Sequence, residues 1–134
     1  MTFDIKLLNE TVKVKPVIKL YTVKDYMGKD LPGLAIQLYN VDSQDENVIK
    51  EPFAMLTTCF GEFIGMKNTA YIDTNNCPFA VQVLETGIAT DTGFTKRSGF
   101  CSYPLWEFKE EFLNSHGKEN YAYYSKKYDE YMAG

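Results

Sequence analysis

A cysteine, a run of polar corner residues and a basic pair are the groups in this 134-residue chain best able to do chemistry. Cys77 stands just before Pro78, at the predicted start of a helix, where partial positive charge lowers a thiol pKa and favours a nucleophilic thiolate. Nucleophilic catalysis also needs a base, and the only histidine is His116, in a polar Ser115-His116-Gly117 turn expected at the surface. The second reading of Cys77 is a small apolar residue packed at the corner. Asp73, Thr74, Asn75 and Asn76 carry oxygens suited to a cation, but the glycine and distal glutamate of a calcium loop are missing. Helix capping and turn formation account for the same four residues. If that helix N-terminus is open, its N–H groups would take a phosphate or carboxylate, with Lys96 and Arg97 as counter-charges. The ligand-binding candidates are therefore Asp73, Asn75, Asn76, Cys77, Lys96 and Arg97.

Other chemistries lack their residues. The stretch from Gly61 to Asn68 has glycine and lysine but not the phosphate-loop frame, and reads as a turn. No nucleophile elbow, zinc-protease helix or dinucleotide fingerprint occurs. Cys59, Cys77 and Cys101 are an odd number, too widely spaced for a zinc pair, and read as the reduced thiols of a cytoplasmic protein. Glu110 and Glu111 belong to a charged, solvated helix face. No metal and no cofactor is expected, and the chain reads as a non-enzyme.

The elements that must hold these groups follow from periodicity. Val12, Val14, Ile18 and Leu20 alternate with Lys13, Lys15, Lys19 and Tyr21, the period of a half-buried strand. Pro16 lacks an N–H and points to an edge strand or a bulge. Residues 2–8 form a short preceding strand. Further strands are expected over 34–41, 53–60 and 69–73, the last leading into the 73–78 corner. A helix is predicted from Cys77-Pro78 to Gly87, with Pro at its first position and Gly as its left-handed stop. A hairpin spans 92–108 with Lys96 to Gly99 near its tip. From Glu107 the chain turns helical, with a break at residues 115–117. These elements predict one α+β domain over residues 1–134. It holds an antiparallel meander sheet of five or six strands, one inserted helix and a C-terminal helix.

Composition bounds the partners. Hydrophobic residues make up 45% of the chain and aromatic residues 15%, enough for a core built on large rings. No apolar run approaches the roughly 20 residues of a membrane-spanning helix, and no basic leader precedes an apolar block, so neither a membrane segment nor a secretory signal is expected. The net charge of −4 is unevenly spread: residues 1–24 carry five Lys against two acids, and residues 25–62 carry seven acids against two Lys. This is not a basic nucleic-acid footprint. Lys13, Lys15 and Lys19 with Tyr21 could serve single-stranded nucleic acid, but outward lysines also protect a sheet edge. Asp42, Asp45 and Glu46 sit in an acidic loop suited to a protein interface. Tyr121, Tyr124, Tyr128 and Tyr131 form one helical stripe, core-facing by default, yet with the chemistry of an interface.

Three segments carry a resemblance: Tyr71-Ile72-Asp73-Thr74-Asn75-Asn76-Cys77-Pro78-Phe79-Ala80, then Thr92-Gly93-Phe94-Thr95, then Ser98-Gly99-Phe100-Cys101-Ser102-Tyr103-Pro104. Together they resemble an uncharacterised domain family of bacterial conjugative elements, integrated elements and phages, with the motif YIDTNN-P-A … TG-T … SGF-(ST)YP. The resemblance covers residues 34–108. It implies a genetic setting and no catalytic residue. The function expected is a non-enzymatic interaction protein of a mobile element, with a host or element-encoded protein as partner. Inhibition of a host defence system through residues 42–62 is its specific form. A small-ligand or phosphate-binding protein or an enzyme using the 73–78 corner, or single-stranded nucleic-acid binding, are the alternatives.

Overall fold

Alternation over residues 12–23 becomes the longest strand of the fold. In the computed structural model, which describes residues 1–134, β1 (Phe3–Lys6), β2 (Thr11–Lys24), β3 (Asp30–Val41) and β4 (Ile49–Met55) follow in order as one antiparallel meander. β2 and β3 pair from Val14↔Asn40 to Lys24↔Asp30, and β1 covers only Thr11 to Val14. Pro16 thus lies just beyond the end of β1, and its missing N–H falls on an unpaired stretch of edge. Two residues on, along that edge, the Ile18 carbonyl accepts from the Asn120 side-chain amide at 3.0 Å. β2 is therefore internal at one end and an edge at the other.

The expected single sheet of five or six strands is corrected to two sheets of four. β5 (Thr57–Thr58), β6 (Thr69–Ile72), β7 (Ala89–Ser98) and β8 (Cys101–Phe108) form the second antiparallel sheet, in the order β5-β6-β8-β7. The strand predicted over 53–60 is cut at Leu56, where the chain changes sheets. Leu56 N–H donates to Ile36 O at 2.9 Å in the first sheet, and its carbonyl accepts from Asp73 N–H at 2.8 Å beside the second. Ile36 N–H donates to Thr57 Oγ1 at 3.0 Å, a side chain continuing the ladder that the backbone has left. Leu56 itself is fully buried at this junction.

Helix α1 (Ala80–Glu85) is shorter than expected. Residues 77–79 form turns instead, with Cys77 N–H on Asp73 O and Ala80 N–H on Cys77 O. Pro78 therefore precedes the helix, and no side chain caps it. Gly87 adopts φ +85° and ends the helix as predicted. α2 (Glu110–Ala133) packs across β2 and β3 and is interrupted at Lys118 (φ 44°, ψ −115°), next to the break expected at 115–117. The kink lets Gly117 approach β2, since a Cβ there would lie 3.3 Å from Ile18. Both sheets and both helices contribute to one core, including Ile18, Ile36, Ile72, Val83, Trp106 and Leu113. No helix is long and apolar enough to cross a membrane.

Candidate functional site

The 73–78 corner is closed by its own hydrogen bonds. Asp73 accepts from Asn76 N–H at 3.2 Å and from the Asn76 side-chain amide at 2.8 Å. Cys77 is buried and its Sγ faces Met55 O at 3.4 Å. Burial, with the Asp73 charge adding to it, pushes the thiol up to about 11. That is the opposite of the depressed value a nucleophile needs. Phe79, its ring 5.2 Å from Phe53, closes the corner from the first sheet, and Trp106 lies in the same core. Phe100 takes no part, being fully exposed at the hairpin tip. Of the two readings of Cys77, the geometry favours the small apolar residue packed at the corner: it lies outside the six-residue helix and inside the core.

Lys96 and Arg97 are not brought to this corner, and they do not act together. Lys96 pairs with Tyr103 across the β7–β8 ladder and Arg97 pairs with Ser102. Successive residues of a strand point to opposite faces, so the two charges diverge. Lys96 Nζ donates to Glu62 Oε1 at 2.6 Å and stands 5.4 Å over the Phe60 ring. Donating this hydrogen bond to the Glu62 carboxylate raises the Lys96 pKa.

Lys96 thereby marks a different site. A cavity of about 220 Å³ opens at the seam between the sheets. Its walls come from the ends of β2 and β3 (Tyr21, Val23, Gly33), from residues 58–65, from β6 (Tyr71), from β7 (Lys96) and from α2 (Tyr124). The segment after β5 is held there by two bonds to the end of β2: Lys24 N–H to Gly61 O and Phe63 N–H to Lys24 O, both 2.9 Å. This fixes the backbone of Glu62. Phe60 packs edge-on to Tyr71 at 5.5 Å and against Tyr103 at 5.3 Å. Tyr21 OH donates to Thr57 O at 3.1 Å, and burial raises its pKa. Among the lining residues Glu62 is the one acid and Lys96 the one base. The free thiol of Cys59 also lines the cavity, and no three His, Cys, Asp or Glu converge anywhere on a metal position.

The remaining predicted groups have structural partners. Tyr121, Tyr124 and Tyr128 are buried within the chain. Tyr121 OH donates to Asn68 Oδ1 at 2.8 Å, and Asn68 N–H donates to Tyr124 OH at 3.0 Å. Tyr131 OH donates to Asp25 at 2.8 Å. Three of the four are thus withdrawn from any surface. Asp42 accepts from the N–H groups of Gln44 and Asp45, and these bonds lower its pKa. Asp45 accepts from Asn47 N–H, and Glu46 accepts from Thr2 Oγ1. The loop of these three acids remains exposed. Lys19 donates to Tyr39 OH at 2.7 Å and lies 5.1 Å over its ring, while Tyr21 lines the seam. His116 stacks on Phe112 at 4.8 Å with Nδ1 3.1 Å from Phe112 O, and burial lowers its pKa. It is a packed residue, not the surface turn expected.

Phe60 and Tyr71 were missed as site residues, while Tyr21 was read only with the lysine face and Glu62 only within the acidic 42–62 region. For Phe60 the one local signal is aromatic spacing around Gly61, which equally describes a turn.

A domain of unknown function, DUF4313, matches residues 21–129. The match reaches further at both ends than the resemblance over 34–108, taking in the seam-lining residues Tyr21 and Tyr124 and most of α2. Neither the curated proteins nor the solved structures yield a match. With four-fifths of its length in that match, the chain belongs to the DUF4313 family, a domain of unknown function.

Proposed function

We propose that this chain is a non-enzymatic protein-interaction domain that grips its partner with the β7–β8 hairpin and the adjoining seam. The observation that carries the reading is the hairpin itself. It extends beyond the last β6–β8 pair at Tyr71↔Leu105, and it exposes Phe94 and Phe100 while supplying Lys96 to the mouth of the cavity. Phe94 is thrown outward by a break in the ladder between Asp91 and Thr95, where Gly93 adopts φ +87°. Large exposed rings beside a pocket are features of recognition surfaces. The groups suited to catalysis, by contrast, are engaged in turns and core packing. The setting we assign follows the resemblance of the 71–104 motifs: a bacterial conjugative element or phage, acting in the cytoplasm on a host or element-encoded protein. Inhibition of a host defence protein is the specific form of that role.

The test is affinity capture from host lysate on the immobilised full chain, beside a Phe94→Ser/Phe100→Ser variant of equal melting temperature. A protein retained by the wild type and lost by the variant supports the reading. Identical retention by both, or none by either, overturns it.

A further inference from the structure

We infer that the seam cavity is a receptor for one cationic side chain, lysine or arginine, of the partner, and that Lys96 is its built-in competitor. This rests on the interaction reading above and adds the chemistry of the contact. Five aromatic rings line the cavity: Tyr21, Phe60, Phe63, Tyr71 and Tyr124. Ring faces carry negative quadrupole charge and attract cations within about 6 Å of the centroid. One carboxylate, Glu62, stands at the mouth. Rings and a lone carboxylate together make a site for an ammonium or guanidinium. The molecule already places one there: Lys96 Nζ sits 5.4 Å from the Phe60 centroid and 2.6 Å from Glu62.

The same geometry argues against an anion. An anion would need the Lys96 charge, which Glu62 neutralises, and a second cation, which Arg97 cannot supply from the opposite face of the ladder. Size sets the class of occupant. At about 220 Å³ the cavity falls below the roughly 300–1,000 Å³ of sites for whole small molecules. It is scaled to one side-chain head. Lys96 is also free to leave. Its side chain is 32% exposed and that of Glu62 67%, so opening the pair buries nothing new and both ends can be solvated. When Lys96 swings out, the lining keeps its five rings and a net charge of −1 from Glu62.

The experiment is a titration of the full chain, read by backbone amide shifts at Phe60, Glu62 and Lys96. The probes are N-acetyl-lysine methylamide, N-acetyl-arginine methylamide, tetramethylammonium and inorganic phosphate. Saturable shifts with the lysine or arginine probe support the proposal, and Lys96→Gln should tighten them about tenfold by removing the competitor. Glu62→Gln should abolish them without changing the melting temperature. Absence of saturable shifts in both wild type and Lys96→Gln overturns the proposal, as does stronger binding of phosphate than of any cation. Tetramethylammonium binding above both side-chain probes overturns the assignment to a partner side chain. The failures of the two readings are distinguishable. A captured protein that Glu62→Gln still retains refutes the cation receptor and leaves the interaction domain. Cation binding lost in Glu62→Gln, with no captured protein, leaves a cation site at the seam but overturns both the interaction domain and the assignment of that site to a partner's side chain.

Discussion

Replacing Tyr124 with Phe removes one oxygen, and the structure says what that oxygen holds. Asn68 sits at the start of β6 in the left-handed region, with φ 67°. Three hydrogen bonds converge on it: its N–H donates to Tyr124 OH at 3.0 Å, its Oδ1 accepts from Tyr121 OH at 2.8 Å, and its carbonyl accepts from Phe108 N–H at 2.8 Å. Two tyrosines of α2 are thereby tied to the first residues of the second sheet. Tyr124→Phe keeps the buried ring and leaves the Asn68 N–H without its acceptor. A buried donor left unpaired costs about 1–3 kcal/mol. Asn68 is half-buried, so water can reach part of it and about 1–2 kcal/mol is expected. Tyr121→Phe removes a donor from an amide oxygen and should cost about 1 kcal/mol. Because both act on one residue, the double variant should depart from additivity by about 0.5 kcal/mol or more. Urea unfolding followed by the fluorescence of Trp106, the single tryptophan and a buried one, measures all three. Tyr123→Phe, on the exposed face of the same helix, is the control. A Tyr124→Phe loss below about 0.3 kcal/mol, or one no larger than that of Tyr123→Phe, would refute the clamp.

The kink in α2 makes a paired prediction. A Cβ at Gly117 would lie 2.7 Å from Tyr121 Cβ and 3.3 Å from Ile18, so Gly117→Ala should cost about 1–3 kcal/mol in the same assay. Lys118→Gly, which relieves a positive φ of 44°, should gain up to about 1 kcal/mol; the reverse order of the two variants contradicts the kink. Cys77 predicts a pH effect, since its thiol is held at about 11 in the fold and ionises near 8.5 when unfolded. The unfolded chain loses that proton first, so stability is full below the unfolded value and falls as pH rises from there to about 11. Cys77→Ala should flatten that loss by about 3 kcal/mol, the buried tyrosines accounting for what remains, and an unchanged slope would sink the assignment. Alkylation at mildly alkaline pH should reach exposed Cys59 well before Cys77, a difference that mass spectrometry reads directly.

What sequence periodicity reports is the local half of the fold. Alternation over 12–23 placed β2, because a strand half in water must alternate whatever it pairs with. Gly87 stopped α1 because only the backbone at that residue decides the matter. The change of sheet at Leu56 left no such mark. Phe53, Thr57 and Thr58 favour extended chain equally on either side of it, and the switch depends on Ile36 and Asp73, twenty and seventeen residues away. One sheet and two sheets therefore look alike until the pairings are known.

The site was hidden for the same reason, sharpened by parity. Lys96 and Arg97 look like a basic pair, yet one bond of backbone turns them to opposite faces, and only Lys96 meets the Glu62 carboxylate. The cation cage draws Tyr21, Glu62, Tyr71 and Tyr124 from four separated segments, none of which carries a spacing rule. Cys77 shows how packing decides between two readings that the sequence leaves open. Its place before Pro78 made a reactive thiol plausible, but reactivity at a helix N-terminus requires solvent or a cation nearby. Packing against residues from the first sheet removed both, and the only charge felt at the thiol is that of Asp73, which opposes ionisation. The tyrosine stripe lies between these cases. Its demand for hydroxyl partners was legible from residue type, since four leucines would have filled the same face. That the partners are Asn68 and Asp25, inside the chain, follows only from where α2 ends up. The polar groups most suggestive of function in one dimension are here the ones that fasten α2 to the sheets. Of the groups left facing outward, Phe94 and Phe100 fall inside the resemblance motifs, whereas the Lys96–Glu62 pair carries no motif.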